Sequence, residues 1–269
     1  MRNKSLAVAA VLALSVGTST GATVLSHRYT FDDGTANDSV GTANGSLVST
    51  ATISGGQLVT TGSGNGPTGQ GVSLPASAVT GINGDYSVEQ WFTRSDTNAN
   101  WQVLSSFDQE TSDTNNYLLV QVERADSTQT ISSATAVAGT ANVLTGPKVL
   151  DLNQHQIVTT YVASTSTLSI YVDGALGGSQ IIPAFNLSAQ SAYIGINNGS
   201  PYGDPTFNGS TNDFDIFNGA LSSSQVSSLF GLGADPTNAQ INAAVPEPAS
   251  GVMLAVMGMG LLLKRRRRV

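Results

Sequence analysis

The chain has 269 residues, with eleven Lys and Arg against 18 Asp and Glu, a net charge of −7, and no cysteine. Seven of the eleven cations lie at the two ends, so residues 23–246 carry Arg28, Arg94, Arg124 and Lys148 against 17 acids, a net charge of about −13. That excess argues against nucleic acid or anionic lipid as a partner. The lack of Cys excludes a thiol nucleophile and leaves stability to a core rather than to disulfides.

Taken in chain order, the first element is an export signal. Arg2 and Lys4 precede an apolar run over 6–16, and Thr20-Gly21-Ala22 offers small residues for cleavage after Ala22, so 1–22 reads as a signal peptide. From 23 to 233 the chain reads as short strands separated by turn chemistry. The first strand, 24–31, alternates, with Leu25, Tyr29 and Phe31 assigned to one face. Asp32-Asp33-Gly34 and Asn44-Gly45 are turns. Strands follow at 47–53, 57–60, 72–74, 86–93, 101–107, 116–123 and 129–137. On 86–93, Val88, Gln90 and Phe92 face one way and Glu89 and Trp91 the other, with Trp91 assigned to the core. A hairpin spans 155–162 and 167–172, turning at 163–166, and Asp173-Gly174 is the next turn. Strands at 192–196 and 213–217 complete the set. Only 222–230 has helical character, with Ser222 as cap and Val226, Leu229 and Phe230 on one face. No strand–helix alternation points to a parallel sheet. The expected fold is all-β: one antiparallel two-sheet β-sandwich over 23–233, followed by a linker at 234–244.

Five segments in order carry a family resemblance. They are His27-Arg28-Tyr29-Thr30-Phe31-Asp32-Asp33-Gly34, Asp38-Ser39-Val40-Gly41-Thr42-Ala43-Asn44-Gly45, Tyr86-Ser87-Val88-Glu89-Gln90-Trp91-Phe92, the hairpin ending in Leu168-Ser169-Ile170-Tyr171-Val172-Asp173-Gly174, and Asn212-Asp213-Phe214-Asp215-Ile216-Phe217-Asn218-Gly219-Ala220-Leu221-Ser222. Together they resemble the laminin-G-like, concanavalin A-like jelly roll. The resemblance implies two curved antiparallel sheets whose loops often carry Ca²⁺ or glycan sites. It places a candidate Ca²⁺ site at Asp32, Asp33, Asn212 and Asp213. Asn212 stands where the family usually has an acid, so the site lacks one charge.

Glycan binding needs aromatic platforms beside polar groups. Trp101, Tyr117, Tyr202 and Phe207 are the candidates, and the loop 197–207 has a composition that suits a binding loop. Hydrolysis needs paired carboxylates at a defined separation. The Glu-x-Asp-x-x-Glu pattern of related glucanases is absent, and Glu89 and Glu123 each lack an acid two residues away. His27 and His155 are the only histidines, and no Gly-x-Ser-x-Gly elbow accompanies them. The functional expectation is a non-catalytic binding protein recognising glycan or protein. The alternative is a divergent glycoside hydrolase or polysaccharide lyase of the same fold.

The last stretch is an address. Pro246-Glu247-Pro248 is held extended, because Pro lacks a donor and disfavours helix in the residue before it. The run 249–263 is uncharged, somewhat shorter than the roughly 20 residues that span a bilayer core. Lys264, Arg265, Arg266, Arg267 and Arg268 form a cytoplasmic stop. These three parts resemble the PEP-CTERM sorting signal of Gram-negative bacteria. The resemblance implies an exosortase-type processing enzyme as partner, passage through the inner membrane, cleavage near Glu247, and arrival at the cell surface or in an exopolysaccharide matrix.

Overall fold

The structure is a computed structural model that describes residues 22–64, 68–97, 101–108, 116–122, 131–137, 140–149, 151–197 and 203–246. Fifteen strands are described among them: β1 (Val24–Tyr29), β2 (Ser46–Val48), β3 (Thr52–Ser54), β4 (Gln57–Thr61), β5 (Gly71–Leu74), β6 (Tyr86–Arg94), β7 (Val103–Asp108), β8 (Tyr117–Gln121), β9 (Ser132–Val137), β10 (Thr140–Thr145), β11 (Gln154–Val162), β12 (Thr167–Val172), β13 (Ala175–Ile181), β14 (Ser191–Ile194) and β15 (Asn208–Asn218). Two helices follow, α1 (Ser223–Leu232) and α2 (Asn238–Ala244). An eight-stranded sheet runs β13-β12-β11-β6-β15-β4-β3, with β1 also paired to β15, and a seven-stranded sheet runs β10-β9-β8-β7-β14-β5-β2. All the strand pairings are antiparallel. The expected two-sheet all-β sandwich is present.

The main core lies between the sheets. Tyr29, Phe92, Ile157 and Phe214 reach it from the eight-stranded sheet, and Leu104, Phe107, Leu118 and Ile194 from the other. Alternation delivers most of these residues inward and their neighbours outward. β7 and β1 depart from it. On β7 a register shift between Val103 and Ser105 lets Leu104 and Phe107, three residues apart, share the core. On β1 a register shift between Leu25 and His27 reverses the facing, so Tyr29 enters the main core while Leu25 packs on the outside. Leu25, Tyr29 and Phe31 therefore do not share one face. The single strand expected at 47–53 is two strands in different sheets. Ser49, at φ 58°, turns the chain from β2 to β3. β10 and β13 had no counterpart in the sequence reading. β13 is an edge strand of mostly exposed residues with two central glycines.

A second core forms on the outer face of the eight-stranded sheet. Val158, Tyr171 and Phe217 project outward and are covered by Val226 and Leu229 of α1, Ile241 of α2, and Val245. α1 opens with a capping box: the Ser222 side chain accepts from the Gln225 N–H, and the Gln225 side chain returns to the Ser222 N–H. α2 opens the same way with Thr237 and Gln240. Residues 234–244, expected to be a linker, thus belong to the folded body. Trp91 is buried, but against α1 rather than between the sheets, and its ring stacks on Phe230 at 5.7 Å and 5°. The Asp173-Gly174 turn has φ of 49° and 76° and joins β12 to β13 in two residues. Gly174 also lies so close to Phe230 that a Cβ there would meet it at 2.9 Å.

Candidate functional site

Among the described residues, neither α1 nor α2 lies over the outer face of the seven-stranded sheet; both pack on the other sheet. On β8, Leu118 and Val120 point into the main core, while Tyr117 and Leu119 form a separate small cluster on the other face. Tyr117, Leu119 and Gln121 line a pocket of about 370 Å³, with Ala141 and Val143 of β10 beside them and Trp101 and Asp204 completing the wall. This volume lies within the roughly 300–1,000 Å³ of ordinary small-ligand sites. Trp101 lies two residues before β7 and has φ 62°, a left-handed conformation uncommon for a bulky side chain and found often at functional positions. Asp204 is brought in by the short parallel bridge between Val103 and Thr206 and by the Val103 N–H donating to the Pro205 carbonyl.

Gln121 organises the polar end of this pocket. Its Nε2 donates to the Trp101 carbonyl at 3.3 Å and to Asp204 Oδ2 at 3.2 Å, and its Oε1 accepts from Ser132 Oγ. Burial pushes the Asp204 carboxyl up to about 6.

The structure brings together two of the four aromatic residues expected to bind glycan, Trp101 and Tyr117. Phe207 is a correction. It is 1% exposed and packs edge-on to Phe92 at 5.9 Å, because its apolar ring fills the space between the sheets. Tyr202 lies outside the described residues. Sequence reading missed Leu119, Gln121 and Asp204. The Tyr117-x-Leu119-x-Gln121 alternation was visible, but nothing in it told which face lies outward.

Three of the four candidate Ca²⁺ residues, Asp33, Asn212 and Asp213, have their side-chain oxygens engaged by other partners. Asp33 accepts from the Thr35 N–H, the Thr35 hydroxyl and Asn37 Nδ2, and these bonds hold its carboxyl below the ordinary range. Asn212 sits at a β-bulge between Thr211 and Asp213. Its Oδ1 accepts from Gln57 Nε2 and its Nδ2 donates to the Ala234 carbonyl and the Asp235 carboxylate. Asp213 chelates Arg28, at 2.7 Å from Nη2 and 3.1 Å from Nε. Asp32 is exposed beside Gly56. Among the described residues no three acids or histidines are grouped so as to hold a metal ion. Calcium wants six to eight free oxygens, and of the candidate set only the Asp32 carboxylate accepts no hydrogen bond from the described residues.

The outer face of the other sheet holds a different polar group. Arg28 on β1 pairs in register with Asp215 on β15, which pairs with Glu89 on β6. Arg28 Nε lies 3.5 Å from Asp215, and Arg28 Nη1 donates to Asn238 Oδ1 of α2 at 2.8 Å. Glu89 Oε1 accepts from Gln156 Nε2 at 2.6 Å and from Trp91 Nε1 at 3.0 Å. All these side chains are buried except Asn238, which is half-buried on α2. One guanidinium cannot neutralise three carboxylates, so burial pushes Glu89 up to about 7 and Asp213 up to about 6, and raises Asp215 well above the usual range. The two histidines are tied to acids elsewhere: His27 Nδ1 to Asp38 at 2.6 Å, and His155 to Asp173 at 2.8 Å and Asp151 at 2.9 Å.

Pro246 closes the described body, while Glu247, Pro248, 249–263 and Lys264 to Arg268 lie outside the described residues, as does 1–21. Among the described residues no helix is long and apolar enough to cross a membrane.

Residues 63–227, more than half of the chain, match the family model described as the concanavalin A-like lectin/glucanases superfamily. The chain belongs to that superfamily. Among solved structures it is similar to domain 4 of AbnA, a GH43 extracellular arabinanase from Geobacillus stearothermophilus in complex with arabinotriose. The identity is 21%, the TM-score 0.61, and the match covers 77% of this chain and 98% of that one. The CBM40 of a Ruminococcus gnavus IT-sialidase, bound to α2,3-sialyllactose, matches at 12% identity and TM-score 0.49, over 64% of this chain and 94% of that one. The NanB sialidase of Streptococcus pneumoniae matches at 20% identity and TM-score 0.46, over 56% of this chain and 24% of that one. No curated protein matches the chain.

Proposed function

We propose that this chain is an exported, non-catalytic glycan-binding protein of the cell surface or extracellular matrix. The pocket of Trp101, Tyr117 and Asp204 carries the reading. It combines an aromatic wall, an apolar floor and a carboxylate on a sheet face that neither α1 nor α2 covers. A similar sandwich, domain 4 of the arabinanase, is described with arabinotriose, which supports an oligosaccharide ligand. Asp204 is the only acid lining the pocket among the described residues. A glycosidase needs two, about 5–10 Å apart. The buried trio Glu89, Asp213 and Asp215 is sealed beneath α1 and α2, out of reach of a polymer.

Affinity electrophoresis and calorimetry of the purified protein against a polysaccharide panel test this reading. Binding is expected without products, and Trp101→Ala is expected to weaken it by about 2 kcal/mol or more, the cost typical of a central aromatic anchor. New reducing ends or unsaturated products would instead establish the hydrolase or lyase alternative.

The address at the C-terminus supports export and surface delivery. In this proposal an exosortase-type enzyme cuts near Glu247 after 249–263 has entered the inner membrane with Arg265 to Arg268 held inside. Changing Pro246, Glu247 and Pro248 to alanine is expected to leave insertion intact and block processing. Extracellular protein that still carries Lys264 to Val269 in its mass spectrum would overturn this route.

A further inference from the structure

We infer that the pocket on the seven-stranded sheet takes an uncharged, hydroxyl-rich saccharide unit and turns away anionic ones, with Asp204 as the specificity-determining residue. This rests on the glycan-binding reading and goes on to name the ligand class. Two features of the pocket carry it. First, the walls are apolar: Trp101, Tyr117, Leu119 and Val143 suit the carbon face of a sugar ring. Second, the polar end is an acceptor. Gln121 is committed within the protein, since Nε2 donates to the Trp101 carbonyl and to Asp204 Oδ2 while Oε1 accepts from Ser132. What Asp204 offers a ligand is its other oxygen, Oδ1.

An ionised carboxylate only accepts hydrogen bonds. Sugar hydroxyls donate, and a charge-assisted O–H to carboxylate bond is among the stronger kinds. A uronate, sialate or sulfate presents further acceptors and a like charge. Repulsion between like charges is several times larger in a partly buried pocket than in water. Asp204 is the only charged group lining the pocket among the described residues. The net charge of about −13 over residues 23–246 adds repulsion at longer range.

Calorimetry of the purified protein at pH 7.5 tests the inference. The probes are uncharged arabino-, gluco- and galacto-oligosaccharides against oligogalacturonate, oligoalginate and sulfated counterparts of similar length. An uncharged oligosaccharide is expected to bind, with Trp101→Ala removing the binding. Asp204→Asn is expected to weaken it about tenfold, as a charge-assisted bond becomes a neutral one. Asn keeps an oxygen for Gln121, so the variant should retain the wild-type Tm. An anionic saccharide that binds as tightly as its uncharged counterpart, in a Trp101-dependent way, overturns the selectivity and leaves the glycan-binding reading standing. Unchanged affinity in Asp204→Asn also overturns it. Binding of neither class takes down the glycan-binding reading and this inference with it.

Discussion

On the outer face of the eight-stranded sheet the Trp91 indole donates to Glu89, and on the outer face of the seven-stranded sheet Trp101 stands across a pocket from Asp204. Each face sets a tryptophan near a carboxylic acid, and burial shifts both acids upward. The cover differs. α1 and α2 lie over the first face and make Trp91 a packing residue stacked on Phe230. Over the second face no described helix lies, and Trp101 is half-buried at the wall of an open pocket. An aromatic residue and an acid on a sheet's outer face are therefore neither a core feature nor a binding feature by themselves. What is laid on top of it decides.

The largest expected effect comes from exchanging the two tryptophans for alanine one at a time. Trp91→Ala should cost about 3–5 kcal/mol of stability, as large aromatic deletions do, and leave glycan affinity unchanged in the folded fraction. Trp101→Ala should do the reverse, losing affinity at nearly constant Tm. Urea melts and calorimetry on both variants check the pair. A common loss of stability would mean that the two faces are equivalent after all.

The sealed face should also show in the pH dependence of stability. Glu89 is pushed up to about 7 by burial, against a partly offsetting pull from Gln156, Trp91 and Arg28. The folded state thus prefers it protonated. That preference is fully present below the unfolded value of 4.5 and is lost as pH rises through about 7, on the order of 3 kcal/mol in all. Asp213 and Asp215 shift in the same direction and add to the trend. Glu89→Gln keeps an oxygen for Trp91 and Gln156. It is expected to match wild type near pH 4 and exceed it at pH 8. Denaturant titrations at both pH values settle this, and equal stability at pH 8 would show that the cluster is not strained by ionisation.

Gly174→Ala should have a smaller effect. Its φ of 76° disfavours a side chain, and the new Cβ would press on Phe230. A cost of about 1–2 kcal/mol is expected from the left-handed backbone, or about 3–6 °C in Tm for a domain of this size. Scanning calorimetry measures it. An unchanged Tm would mean that the β12–β13 turn gives way without disturbing the contact that seals Trp91.

Calcium should do least. Asp33, Asn212 and Asp213 have their oxygens engaged, so millimolar Ca²⁺ is expected to leave Tm within about 1 °C. A ligand bound at 100 times its Kd would stabilise by about 2.7 kcal/mol, so a rise of several degrees would restore the site.

The strands with strong alternation are legible in the sequence. β6, β11 and β12 carry β-branched and aromatic residues at period two, β8 is a short continuous apolar run, and local chemistry is enough to mark them. So is α1, whose Ser222–Gln225 box and 3.6-residue apolar spacing are local signals. β13 is not, because its Gly177-Gly178 centre reads as loop and only pairing with β12 makes it a strand. α2 is not, because Asn238-Ala239-Gln240-Ile241 shows a single apolar anchor, and that anchor gains meaning only against Leu25 and Phe217. Of the candidate site, Trp101 and Tyr117 were picked for their chemistry. Asp204 was passed over because one acid in a polar loop has no distinguishing neighbour in sequence.

The sequence by itself determined the all-β class, the capped α1, the turns at Ser166 and Asp173-Gly174, and the strong acidity of the body, since each depends on residues adjacent in the chain or on composition. Only the tertiary structure decided which outer face was closed. Leu25 and Tyr29 are four residues apart, yet a bulge sends one under the helices and the other between the sheets. Asp213 meets Arg28 185 positions away, and Asp204 meets Gln121 83 positions away. Strand order and register make these contacts, and period-two alternation cannot specify them. It fixes that neighbours part to opposite faces but not what each face will meet.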